Sequence, residues 1–407
     1  MPDIYQLKNG MKAIRYYVPD SPVVHCALMI NCGARDEPAN KTGLAHFIEH
    51  TFFKGTKNRT SRQILNSLEI SGGELNAYTT KEETCLHASV IKEHLWQASD
   101  VISDIFLNAT FPVRELEKEK KVILDEIHAY EDMPYEQIYD DFENVLFKNH
   151  PLGNSILGKE KHIQTFTQKD ILHFMKTRYS MQNIVWIVAG DVDEKSVLKT
   201  AALFNKGKAS GKLKRASPVK RNKIIQLEKK PISQYHYISG KKGYAFDHPN
   251  RFALSLLNNV LGGPGMNSRL NMNIREKYGF TYTIESGYHA FSDTGIFHLY
   301  FATDKKYFEK TKQLVAKELT KLAEEKITER KLNQYKQQLC GQIIMAQENK
   351  LNVMLGMGRS ALLKGRIPAL EELIERIQTI TVSKFKSVAD EMLDPASMTT
   401  LIFEPEE

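Results

Sequence analysis

The chain has 407 residues, of which 42% are hydrophobic and 26% charged. This is ordinary globular composition, and at roughly 100–200 residues per domain it implies two or three domains. The formal charge of +7 is concentrated in residues 206–223, where Lys206, Lys208, Lys212, Lys214, Arg215, Lys220, Arg221 and Lys223 meet no acid; lacking aromatics to stack on bases, that segment reads as a solvated linker and excludes a nucleic-acid partner.

The start, MPDIYQLKNGMK, has no signal-peptide core and no Arg-rich amphipathic leader, and no apolar run approaches the ~18 residues that span a bilayer. A cytoplasmic chain with no membrane association is expected. The four cysteines (Cys26, Cys32, Cys85 and Cys340) form no CxxC pair and read as reduced buried thiols.

The first element with chemical content is TGLAHFIEHTFF, residues Thr42–Phe53. It predicts an amphipathic helix with Thr42 as its cap. At ~3.6 residues per turn, His46 and His50 lie one turn apart on one face, so their imidazoles converge. Glu49 borders that face. This is the reverse order of the HExxH zinc helix, the inverzincin pattern. Two histidines leave a catalytic zinc one ligand short, since such a site takes three protein ligands and keeps one position open.

Next, GGELNAYTTKEETCLHASVI (72–91) predicts a pair of strands, and Glu93–Leu107 a helix. The following helix, RELEKEKKVILDEIHAY (Arg114–Tyr130), supplies candidates for the missing ligand. With Ile123 at zero on a wheel of ~100° per residue, Leu116, Ile127 and Tyr130 fall within about 40° and define the buried stripe. Glu119 and Glu126 fall at about −40° and −60°, whereas Glu117, Asp125 and His128 point away. A carboxylate on a core-facing stripe costs several kcal/mol unless a cation pairs with it, and a metal ion is such a cation. A His2Glu set favours Zn2+ over hard cations.

The two halves of the sequence echo each other. Ile163-Gln164-Thr165-Phe166-Thr167 recurs as Ile377-Gln378-Thr379-Ile380-Thr381, each followed by a helical pattern and then an apolar strand (183–192 and 398–405). The strand pair at 72–91 has its counterpart at 278–304, and the helix Glu93–Leu107 has its own at Tyr307–Leu322. These repeats predict an α+β chain of two homologous domains, each a mostly antiparallel sheet covered by helices. The expected boundaries are 1–205 and 224–407, joined by the basic linker 206–223.

HFIEH, FKGT (Phe53–Thr56), GGELNAYTT (Gly72–Thr80), EKEKKVILDEI (Glu117–Ile127) and SRLNMNIREKYGFTYTI (Ser268–Ile284) together resemble the pitrilysin/insulinase family of zinc peptidases, with a layout similar to the mitochondrial processing peptidase β-subunit and its bacterial homologues. The resemblance covers nearly the whole chain. It implies that His46, His50 and Glu126 hold one Zn2+ per chain, that Glu49 is the general base and that Glu119 supports the ligands. It also implies that Asn76 and Ala77 pair with substrate backbone by strand addition. Arg275 and Tyr282 match the pair that reaches bound substrate; without the family pattern they would be read as a surface ion pair and a core aromatic. The second half carries FALSLLNNVL (Phe252–Leu261) where HxxEH would recur, so a single zinc site is expected.

The implied activity is a zinc metalloendopeptidase acting on peptides or unfolded polypeptide within an enclosed chamber. Family members enclose substrate with four homologous domains, so a chain of two implies a dimer, and possession of both halves of the machinery points to a homodimer. Two rival readings are a non-catalytic peptide-binding or assembly subunit of the same fold, and a different HxxEH zinc enzyme whose third ligand is a thiol such as Cys85.

Overall fold

The computed structural model describes residues 2–208, 213–219 and 222–406. Three of the linker's basic residues, Lys212, Lys220 and Arg221, lie outside the described residues. In chain order, the first half forms β1 (Asp3–Gln6), β2 (Lys12–Tyr17), β3 (Val23–Ile30), α1 (Leu44–Phe52), β4 (Glu74–Thr79), β5 (Thr84–Ile91), α2 (Leu95–Asn108), α3 (Val113–Glu131), α4 (Pro134–Leu146) and β6 (Ile184–Gly190). The second half forms β7 (Ile225–Lys230), β8 (Tyr235–Gly243), α5 (Arg251–Gly262), β9 (Thr281–Ala290), β10 (Gly295–Thr303), α6 (Phe308–Glu324), α7 (Glu329–Met345), α8 (Lys350–Lys364) and β11 (Thr399–Pro405).

The sheets carry the duplication. One runs β1-β2-β6-β3-β5-β4 and the other β7-β11-β8-β10-β9. Without β1, both follow the same order relative to the chain. Each is antiparallel except for one pair, β2 with β6 and β7 with β11. The fold is therefore the expected α+β type, with sheets that are mixed rather than purely antiparallel. The short sequence repeat has a structural cause: Thr167 and Thr381 are N-caps, accepting from the amides of Asp170 and Lys384, and Ile163 and Ile377 are both fully buried.

The compact units do not follow an uninterrupted cut at the linker. One comprises 1–129, 154–216 and 346–368, the other 130–153, 217–345 and 369–407. Each half of the sequence thus gives one equivalent helix, α4 or α8, to the unit built around the other half's sheet. The reason lies in the strands, which are apolar on both faces. In β3, Val24, Cys26, Leu28 and Ile30 join one core while Ala27 and Met29 join another. Met354 and Ala361 of α8 cover the second face of that sheet. Gly358 lets α8 lie close, because a Cβ there would run into the Met29 thioether. In the other unit Ile138, Phe142 and Leu146 of α4 cover Ile238, Tyr300, Leu401 and Phe403 in the same way.

The solvated-linker expectation fails at Arg215. Its guanidinium is buried against Asp36 at 2.7 Å, so this part of the basic segment is strapped to the first unit. The expected thiols Cys26, Cys32, Cys85 and Cys340 are all buried and free. Among the described residues, no helix is long and apolar enough to cross a membrane.

Candidate metal centre

Helix α1 is amphipathic because Leu44, Ala45, Phe47 and Ile48 enter the core of the first unit. That anchoring turns His46 and His50 to a common side, with ring centroids 4.5 Å apart. The helix starts two residues later than expected, and Thr42 is not its cap: the Thr42 hydroxyl instead meets Nδ1 of His162 at 2.8 Å. The N-cap position is Gly43, in the left-handed region at φ 92°, where a Cβ would fall 2.6 Å from the Leu157 carbonyl oxygen. The cap is supplied from outside the helix. Oε2 and Oε1 of buried Glu37 accept from the Gly43 and Ala45 amides at 2.8 and 2.7 Å.

Helix α3 buries Leu116, Ile123 and Ile127. Glu119 shares that stripe and is 5% exposed, while Tyr130 is only half-buried. Glu126, two turns after Glu119, sits at the stripe's margin. Its side chain is 42% exposed, yet Oε2 is shielded and has no hydrogen-bond partner. That oxygen lies 3.9 Å from Nε2 of His46 and 3.6 Å from Nε2 of His50. Ligand atoms of these three residues lie within 4.8 Å of one another, the one such group among the described residues. Ligands at roughly 2.0–2.1 Å around tetrahedral Zn2+ stand about 3.4 Å apart, so the three groups are close enough to close on such an ion, the Glu126–His50 spacing being the nearest to that value.

The groups around this trio are arranged to keep it in place. His50 turns Nδ1 to Oε1 of Glu119 at 3.0 Å, and Lys54 holds the other oxygen of Glu119 at 2.6 Å. A carboxylate only accepts, so His50 donates through Nδ1 and keeps the Nε2 lone pair for a metal. Burial pulls His46 down to about 3, with His50 beside it adding to the shift, so this imidazole is neutral at ordinary pH. Burial acts the same way on His50, but the Glu119 hydrogen bond and the charges of Glu126, Glu119 and Glu49 outweigh it and leave His50 raised. Burial raises Glu49, whose Oε2 has no partner. A carboxylate raised toward neutrality is suited to accept and return a proton.

Asn76 and Ala77 lie on β4, which is bonded to β5 on one side and forms the edge of its sheet. Asn76 is exposed, and its Oδ1 accepts from the Ala77 amide at 3.0 Å. Arg275 and Tyr282 lie in the second unit. The Arg275 guanidinium stacks 5.3 Å from the Tyr282 ring centroid, and both line a cleft of about 440 Å3 beside the glycine-rich turn 262–265. Tyr282 is 84% exposed, unlike the core aromatic that it would be read as without the family pattern. Cys85 is buried in the core that α8 covers and is absent from the metal-ligand group, against the thiol-ligand alternative.

Two contributors were missed in the sequence. Lys54 follows His50 by four residues, a spacing that a helical wheel would have flagged. Glu37 had no local signal, because it caps a helix that begins seven residues later.

Residues 15–160 match the family described as Insulinase (Peptidase family M16), and residues 165–339 match the one described as Peptidase M16 inactive domain. The chain is 31% identical over 388 residues to a protein of Bacillus subtilis named as an uncharacterized zinc protease, covering 95% of each chain. It is 32% identical over 400 residues to a similarly named protein of Rickettsia felis, covering 98% of this chain and 97% of that one. Among solved structures, it superposes on a peptidase M16 inactive domain from Pseudomonas fluorescens with a TM-score of 0.91 at 21% identity, covering 100% of this chain and 98% of that one. A protease from Helicobacter pylori gives a TM-score of 0.90 at 23% identity, with 100% and 99% covered.

Proposed function

Because the chain belongs to the insulinase family of peptidases, family M16, we propose that it is a zinc-dependent endopeptidase acting on peptides or unfolded polypeptide segments. The observation that carries this reading is the convergence of two imidazole nitrogens and one donor-less carboxylate oxygen beside Glu49.

His46, His50 and Glu126 would hold the ion. When bound, Zn2+ supplies Lewis acidity toward a water and toward the scissile carbonyl. Glu49 then takes the proton from the attacking water and delivers it to the leaving amine, the role for which its burial-raised affinity for a proton suits it. Glu119 fixes the His50 ring so that Nε2 stays turned toward Oε2 of Glu126, where it would be available to the ion. The open edge of β4 at Asn76 and Ala77 offers backbone groups to an extended substrate, which favours unfolded segments over folded ones. Tyr282 donates its hydroxyl to the developing oxyanion, and Arg275, stacked on its ring, orients it. The working form is a homodimer, so light scattering should give twice the chain mass of 46.6 kDa.

The test is cleavage of an unfolded polypeptide by the zinc-loaded chain, read as new N-termini, with Glu49→Gln alongside. The variant should keep its zinc and lose turnover by roughly 10^2–10^4-fold. Near-normal turnover in Glu49→Gln overturns the mechanism, and a parent chain that binds no transition metal overturns the function in favour of a non-catalytic subunit.

A further inference from the structure

We infer that Arg215, in the segment between the two homologous halves, is a positioning residue for the metal-binding helix α1, acting through Asp36 and Glu37. The inference rests on the proposed metal site but concerns a different part of the first unit.

Helix α1 has no cap of its own. Its first amides are held by Glu37, whose own position is set by the turn Ala34–Asp36 just before it. That turn is closed by Asp36, which accepts from the Gly33 amide at 3.0 Å, and is pinned to the β4–β5 connection through Ala34 N to Thr80 O and Arg35 N to Lys81 O at 3.0 and 2.8 Å. Arg215 engages the same turn with its whole guanidinium. Nε and Nη2 donate to the two oxygens of Asp36 at 2.9 and 2.7 Å, Nη1 to Oδ1 of Asn31 at 2.9 Å, and Nη2 to the Glu82 carbonyl at 2.9 Å. The grip is mutual: Arg35, paired with Glu82 at 2.5 Å, donates to the carbonyl of Ala216 at 2.7 Å.

Most of the arrangement is buried. Arg35, Asp36, Glu37, Lys81 and Glu82 are each less than a tenth exposed, and the Arg215 side chain is 9% exposed. Removing Arg215 takes away four hydrogen bonds that hold this turn and also leaves the Asp36 carboxylate without its cation; neutralising Asp36 relieves the charge but does not restore the bonds, so the turn loosens in either case. Lysine cannot replace the fork, because the donors to Asp36, Asn31 and the Glu82 carbonyl leave one planar group in different directions.

The effect on the metal follows from helix position. Gly43 is the N-cap, so His46 is the third helical residue and lies in the turn that Glu37 holds, whereas His50 lies a turn deeper. Loosening the cap therefore releases His46 first. The linker is thus part of the metal site's support rather than a passive spacer.

The experiment compares the full-length parent with Arg215→Met, Arg215→Lys and the double variant Arg215→Met/Asp36→Asn, which removes the stranded charge and protects against simple unfolding. Hydrogen exchange of the α1 amides is read without metal, and Zn2+ affinity is read by chelator competition with the metal alone. The expected result is at least tenfold faster exchange at the start of α1 in Arg215→Met and in the double variant, with β8–β11 unchanged. Zinc binding should weaken about tenfold, Arg215→Lys should recover only part of either loss, and KM for peptide at saturating zinc should stay put. Parent-like α1 exchange in the double variant overturns the inference, as does exchange that rises equally across the whole first unit. If the parent binds no zinc the proposed function fails, while the exchange comparison still decides the role of Arg215.

Discussion

Nδ1 of His50 and Oε1 of Glu119 stand 3.0 Å apart, and Lys54 holds the other oxygen of the same carboxylate at 2.6 Å. The ring therefore has one tautomer that satisfies its neighbours, the one with its proton on Nδ1. Glu119→Gln keeps the shape but offers an amide that can present its NH2 to the ring, which favours the wrong tautomer. Zinc affinity in Glu119→Gln should fall roughly 10–100-fold. Competition with a chelator of known affinity measures this, and an unchanged affinity would remove Glu119 from the site's support.

Glu126→Gln should be costlier for the metal. Its Oε2 is the third converging atom and has no other partner, so the amide removes a ligand charge that nothing nearby replaces. The affinity loss should exceed the roughly 10–100-fold seen for supporting groups. Because much of the side chain is exposed, the fold should tolerate the change within about 0.5 kcal/mol, so a lowered unfolding midpoint would indicate a structural role instead.

How much of this was legible depended on distance along the chain. His46, Glu49 and His50 are related by one helical turn, and Glu119 and Glu126 by two, so the period of an α-helix was enough to find them. The repeated Ile-Gln-Thr segment was readable for the same local reason, since a capping threonine acts on the amide three residues ahead. Arg215 was misread because composition averages a segment: one guanidinium among many solvated cations is buried, and its partner Asp36 lies far away in sequence. The exchange of α4 and α8 between units was equally hidden. An amphipathic stripe such as Ile138, Phe142 and Leu146 declares that it will be buried but not against which sheet. Tyr282 shows the limit of the strand pattern, which by itself reads an aromatic as core; only the family resemblance pointed to a substrate role, and the ring is 84% exposed.

The second unit should lose stability in mild acid through His298. Burial lowers this imidazole from 6.5 to about 4, and its Nδ1 has no partner to receive or give a proton. Its folded affinity for a proton is below the unfolded one, so its contribution is fully present above about pH 6.5 and is lost as pH falls toward 4. At about 1.4 kcal/mol per unit the effect reaches roughly 3 kcal/mol. Urea unfolding at pH 7 and pH 5, followed by exchange of the β8 and β10 amides, should show the decline, and His298→Gln should flatten it. An equally steep decline in the variant would assign the acid sensitivity elsewhere.

Tyr282 offers the cleanest separation of chemistry from folding. At 84% exposure its hydroxyl supports nothing within the second unit, and its visible partner is the guanidinium of Arg275 over the ring face. Tyr282→Phe keeps that face and removes only the hydroxyl, so stability should stay within about 0.5 kcal/mol of the parent. If the hydroxyl donates to the oxyanion, kcat should fall roughly 10^2–10^3-fold, with KM little changed because the ground-state carbonyl is a weaker acceptor. Replacing Arg275 with Lys tests the other half of the pair. Lysine keeps the charge but loses the planar stacking that orients the ring, so a smaller drop in kcat is expected, and none in a Tyr282→Phe background if the two act through one hydroxyl. Independent losses that multiply in the double variant would instead mean that Arg275 contacts substrate on its own account.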